Sequence, residues 1–151
     1  MRGMFVATIW LVVAAVGCSE PEQLTPRDEY EALEARAAMD CGTYERNYSP
    51  DDNPIPEHLC GPAPDIACIN DAIAGATIAK LTYSYFDSQG LLREHHYYAG
   101  DGGLTWVGYY QRAAGESNWW YAADCTTLLA EPYEVLDQTC WTLKSTGCVA
   151  R

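Results

Sequence analysis

Glu94-His95-His96 is the one histidine cluster in the chain. On a strand, neighbouring side chains point to opposite faces. Glu94 and His96 would then share a face and could hold a metal ion or exchange a proton. His95 and His96 could not easily meet at one ion. No second ligand-rich segment with metal-site spacing accompanies them, and His58 lies apart in a proline-rich stretch. Half-buried histidines are the plainer reading, and no metal is expected. Gly-x-Ser-x-Gly, His-Glu-x-x-His and phosphate-loop motifs are all absent, so no cofactor is expected either. Asp65, Asp71, Asp87, Asp101 and Asp124 offer carboxylates, but a chain this acidic contains such pairs in any case. Asp87 and Asp101 also sit in glycine-bearing turns, where turn chemistry alone accounts for them. A small hydrolase working through carboxylates and His96 is the weakest of the readings.

The aromatic residues are the better lead. The chain has 11 Tyr and 5 Trp but only 2 Phe, so most of its rings carry a polar tip suited to half-wet surfaces. Trp106, Tyr109, Tyr110, Trp119, Trp120 and Tyr121 fall within two neighbouring strand-like runs. Adjacent pairs such as Trp119-Trp120 must place one ring on each face. If helices cover one face only, the row Trp106, Tyr110, Trp119 and Tyr121 buries and the other row stays exposed. Trp106, Tyr109, Trp119, Trp120 and Tyr121 are the partner-binding candidates. Residues 43–64 or Ala130–Gln138 folding over the exposed row would remove it.

The amino terminus supplies an address. Arg2 is a positive n-region, and Met4–Val16 is an apolar run broken by Thr8, too short to span a bilayer. Ala15-Val16-Gly17-Cys18 follows and resembles the lipobox of bacterial lipoproteins, with Ala15 where Leu is usual. The resemblance covers residues 1–18 only. It implies cleavage before Cys18, lipid on the Cys18 thiol and attachment to the cell envelope. Ser19, rather than Asp, after the cysteine implies the outer membrane in a diderm host. An ordinary secretory signal is the alternative. Cysteine arithmetic favours the lipobox: seven cysteines less Cys18 leave an even set, Cys41, Cys60, Cys68, Cys125, Cys140 and Cys148, suited to disulfides in an exported chain. Three precede residue 70 and three follow residue 124, so full pairing requires at least one bridge between the halves.

Nine basic against 21 acidic side chains give a net charge of −12, and loss of Arg2 makes it −13. That disfavours nucleic acid and electrostatic adhesion to anionic lipid, so the lipid would do the anchoring.

The elements that must position the aromatics are short. Residues 1–17 read as signal peptide, 18–26 as lipidated cysteine and tether, and 27–151 as a single domain. A helix is expected at Arg27–Asp40, capped by Thr25 and Pro26 with Tyr30, Leu33 and Ala37 on one stripe and Met39 near its end. Residues 43–64 look irregular, and a second helix covers Asp65–Ala74. Candidate strands are Ile78–Phe86, Leu91–Tyr98, Leu104–Arg112, Asn118–Cys125 and Thr139–Leu143, the first four joined by hairpin-length breaks. Tyr85-Phe86-Asp87-Ser88-Gln89-Gly90-Leu91-Leu92 resembles one YD repeat, the hairpin unit of RHS-type shell proteins. There is one copy, over residues 83–92, and a generic hairpin has the same residues.

The expected fold is α+β: two short helices packed on an antiparallel meander of four or five strands, reinforced by disulfides. It is similar in outline to helix-on-sheet inhibitor and cystatin-like folds, a likeness that carries no function. The expected role is a lipid-anchored binding module for an envelope protein or glycan, with a structural or assembly-factor lipoprotein as the alternative.

Overall fold

The computed structural model describes residues 25–47 and 59–151. Cys18, the rest of the leader and tether, and His58 lie outside the described residues.

The chain is mostly β, with two short helices. Helix α1 spans Pro26–Arg36 and begins as its sequence requires. The Thr25 side chain accepts from the Asp28 N–H while Asp28 accepts from the Thr25 N–H, a closed capping box. The helix stops sooner than the expected Asp40. Ala37 turns extended, and the Ala38 and Met39 N–H groups donate to the Ile78 carbonyl. Strand β1, Met39–Arg46, starts there. Met39 therefore opens a strand and is exposed, instead of closing the helix stripe.

Strands β2 (Ala79–Phe86), β3 (Leu92–Gly100), β4 (Gly103–Tyr110) and β5 (Trp119–Cys125) form the expected antiparallel meander. Two edge strands extend it. Strand β1 pairs with β2 in parallel, and β8 (Val149–Ala150) pairs with β5, giving a six-stranded mixed sheet in the order β1-β2-β3-β4-β5-β8. Strands β6 (Thr127–Val135) and β7 (Gln138–Thr146) form a separate two-stranded ribbon. The expected four or five strands were too few. Strand β1 is cryptic because its partner lies far away in sequence, and because its register slips between Asp40 and Thr43 around Gly42, whose φ is 97°. In β6, Pro132 hides a strand that tolerates it only in a two-stranded ribbon.

The helices take opposite faces, which corrects the expectation that they cover one. Helix α2, Ile66–Ala72, is capped by Asp65 and lies between β1 and β2 in the chain. With the β6–β7 ribbon it covers the face bearing Leu81, Tyr83, Tyr97, Ala99, Leu104 and Ala123. Asn70 joins the two covers: its amide donates to the Leu128 carbonyl at 2.8 Å and accepts from the Leu128 N–H at 3.1 Å. Helix α1 covers the other face, laying Tyr30, Leu33 and Ala37 on Ile78, Tyr98, Val107 and Ala122. Under α1 the polar row Lys80, Thr82, Ser84 of β2 is half-buried. Glu34 of α1 bonds the Lys80 ammonium at 2.5 Å and the Tyr98 hydroxyl at 2.8 Å.

All six downstream cysteines pair. Cys41–Cys68 ties β1 to α2, Cys60–Cys140 ties the segment before α2 to β7, and Cys125–Cys148 ties β5 to the turn before β8. Cys60–Cys140 is the bridge between the halves that the cysteine distribution demands.

Candidate functional site

Strand alternation puts Arg93 and His95 of β3, Trp106, Gly108 and Tyr110 of β4, and Trp119 and Tyr121 of β5 on one face. The pairings His95↔Gly108↔Tyr121 and Tyr110↔Trp119 hold them side by side. This is the face that α2 and the ribbon cover, but the cover stops short. At the covered end, Tyr97, Leu104 and Ala123 are buried. At the other end, Trp106 and Tyr110 are half-buried, and Trp119 and Tyr121 remain 49% and 42% exposed.

A cleft of about 480 Å³ lies there, lined by Arg93, Trp106, Tyr110, Arg112, Trp119 and Tyr121. Its size falls within the range of roughly 300–1,000 Å³ found for small-ligand sites. The rings brace one another: Tyr110 meets Tyr121 edge-on at 5.3 Å, and Trp119 meets Tyr121 at 6.1 Å. Two guanidinium groups lie on them, Arg112 at 4.4 Å from the Trp119 centroid and Arg93 at 5.2 Å from that of Tyr110. Each is anchored by a carboxylate that does not line the cleft. Arg112 pairs with Glu116 at 2.6 Å. Arg93 pairs with Asp87 and also donates to the Gln111 carbonyl at 2.6 Å. Asp87 is itself fixed in the β2–β3 turn, where it accepts from the Gln89 and Leu91 N–H groups.

Gly108 forms the floor. A Cβ there would lie 2.8 Å from Trp106 Cζ2 and 2.9 Å from Tyr110 Cε2, so the two rings close over the strand only because it is glycine. Gly108→Ala should displace both rings, change the near-ultraviolet circular dichroism and cost about 1–3 kcal/mol. An unchanged spectrum and unfolding midpoint would refute this packing.

His95 sits beside the floor, its ring 5.5 Å from that of Trp106 and 5.9 Å from that of Tyr110. Burial brings its pKa down to about 4, and His96 adds to the shift. His96 lies on the opposite face, its ring tilted against that of Tyr30 at 4.7 Å under α1. Burial takes it to about 4 as well, against the opposing pull of Glu34. The two histidines are thus separated by the sheet, and His96 faces a carboxylate already engaged by Lys80 and Tyr98. Both are held neutral in the fold, with pKa values below the unfolded value of about 6.5. Their stabilisation is complete above that pH and drains away as the pH falls from about 6.5 toward 4. The urea midpoint should drop over that interval, and His96→Phe should flatten the drop. An identical slope in the variant would contradict the burial of His96.

The row expected to be buried contains the two exposed rings, Trp119 and Tyr121, whereas Tyr109 and Trp120, expected to be exposed, are half-buried like Trp106 and Tyr110. Trp106, Tyr110, Trp119 and Tyr121 form the open row. Tyr109 and Trp120 lie on the α1 face, with Trp120 5.0 Å from Tyr30 and 4.9 Å from Tyr109. The reason is coverage: α1 reaches this end of the sheet, and α2 with the ribbon does not. Of the five candidates, the cleft gathers Trp106, Trp119 and Tyr121 and leaves out Tyr109 and Trp120. Sequence reasoning missed Arg93, Arg112 and Gly108. Their signal is an arginine at the strand end beside each aromatic run, and a glycine alternating with rings.

Among the described residues no group of three or more His, Cys, Asp or Glu is placed to hold a metal ion, and no helix is long and apolar enough to cross a membrane. Comparisons with protein-family models, with curated proteins and with solved structures returned no match for this chain.

Proposed function

We propose that this protein is a lipid-anchored binding module of a bacterial cell envelope, and that the aromatic cleft at the open end of the sheet is its recognition site. The observation that carries the reading is the pair Trp119 and Tyr121. Both rings are about half exposed, held on rigid paired strands, and continuous with the half-buried Trp106 and Tyr110. Large rings on a rigid scaffold bind at little entropic cost, and Trp, Tyr and Arg dominate binding hot spots. The partner is an envelope protein or glycan. No serine, cysteine, histidine or carboxylate side chain lines the cleft, which favours binding over catalysis. Capture from envelope extract on immobilised protein tests this, if retention is competed by soluble protein and lost with the cleft aromatics.

The anchor is the lipid on Cys18, and Ser19 supports the outer membrane as its destination. Cys18→Ala should abolish incorporation of radiolabelled palmitate and leave the apolar leader uncleaved. Unchanged labelling would remove the lipobox reading.

A further inference from the structure

Resting on the proposal that the cleft is a binding site, we infer that its occupant is a carboxylated glycan, with a sugar ring on the aromatic walls and its carboxylate at the arginines. The argument is one of complementarity. The chain carries a net charge of −12, yet the charged residues lining this cleft are Arg93 and Arg112 alone. Arginine and tryptophan side chains can only donate hydrogen bonds, and tyrosine can do either. No carboxylate or amide side chain lines the site. The occupant must therefore be rich in acceptors.

The guanidinium groups are ready for one. Arg93 spends one N–H on Asp87 and one on the Gln111 carbonyl, which leaves others of its five donors for a ligand. Both arginines are stacked on rings and tethered from outside the cleft, so little side-chain freedom is lost on binding. The planar fork suits a carboxylate held in two contacts.

A protein segment fits less well. An extended peptide brings one N–H donor per residue that must find an acceptor. The backbone of β4 under the cleft is already paired on both sides, to β3 and β5. Acceptors on β5 are confined to its outer edge before the β8 pairing at Ala123 and Asp124, and the lining side chains supply only tyrosine oxygens. Sugar hydroxyls accept as well as donate, and a pyranose has a flat apolar face that matches exposed indole and phenol rings. The volume of about 480 Å³ suits a few rings and not a long chain.

Isothermal titration calorimetry of the purified full-length protein tests this with two matched probes, trigalacturonate and the neutral trisaccharide of galactose. They differ in carrying a carboxylate or a hydroxymethyl group on each ring. Trigalacturonate is expected to bind at least about tenfold more tightly, as one charge-assisted pair allows. Arg112→Gln, which replaces the guanidinium over Trp119 with a shorter, uncharged amide, should erase most of that preference while leaving the unfolding midpoint in place. Equal binding of the two sugars, or binding of neither, would overturn the inference. So would a hexaglutamate peptide that binds as tightly as trigalacturonate. A failure of both sugars together with envelope capture that still depends on Trp119 and Tyr121 would reject the glycan and leave the binding-module reading standing. Loss of that dependence would reject the reading itself.

Discussion

Replacing Trp119 and Tyr121 together by alanine is expected to weaken retention of the envelope partner more than tenfold while leaving thermal stability nearly unchanged. Both rings are about half exposed and meet each other edge-on, so their removal opens no sealed cavity. As anchors of a small site, each should be worth about 2 kcal/mol of binding, and Tyr121 also braces Tyr110. Trp120→Ala should do the opposite. That ring packs between Tyr30 and Tyr109 under α1, so its loss should cost roughly 2–4 kcal/mol of stability and leave binding almost unaffected once the protein is folded. Adjacent tryptophans thus separate recognition from packing. Equal losses of binding and stability in both variants would show that the faces are not distinct. The readouts are retention on immobilised protein and denaturant midpoints measured on the same samples.

Removing the Cys60–Cys140 bridge by a double alanine substitution should be the most destabilising disulfide change. It spans 80 residues, against 27 for Cys41–Cys68 and 23 for Cys125–Cys148. Loop-closure reasoning assigns a native bridge about 2–5 kcal/mol, rising with loop length. Position adds to length. The bridge holds the segment entering α2 against Cys140, which is fully buried in β7, and so keeps the ribbon on the sheet. The neighbouring Leu59 N–H donates to the Gln138 side chain at 3.1 Å, and Tyr44 of β1 reaches the Trp141 N–H at 2.6 Å. The thermal midpoint should fall by at least about 10 °C. The double variant at Cys125 and Cys148 should fall by less, because Thr126 already ties the start of that loop to its end through two bonds to the Thr146 carbonyl. A reversed order would mean that the ribbon is held by its own contacts and not by the bridge.

How much of this was legible in the residues depended on the range of the interaction. Local signals read well. Thr25 and Asp28 cap α1, Asp65 caps α2, and the turns at Asp87–Gly90 and Asp101-Gly102 joined the right strands. The Asp-Gly turn holds both residues at positive φ, 53° and 82°, as a two-residue hairpin requires. Long-range facts did not read. Strand β1 needs a partner some forty residues away, and nothing in Met39–Arg46 announces it. The exposed row was misassigned because alternation fixes which rings share a face but not which face a helix covers. That depends on where α1 and α2 dock, which is settled by tertiary packing. Arg93 and Arg112 were passed over for the same reason: their value comes from the rings they stack on across the sheet.

The most direct test of the binding site is the set of indole N–H resonances of ¹⁵N-labelled protein during titration with solubilised envelope fractions. Trp106, Trp119, Trp120 and Trp141 sit in four different settings: the cleft wall, the cleft rim, the α1 interface and the ribbon. The cleft account predicts that Trp119 and Trp106 shift together, saturably, while Trp120 and Trp141 stay in place. Shifts confined to Trp120 or Trp141, or a partner that binds without moving either cleft tryptophan, would contradict it.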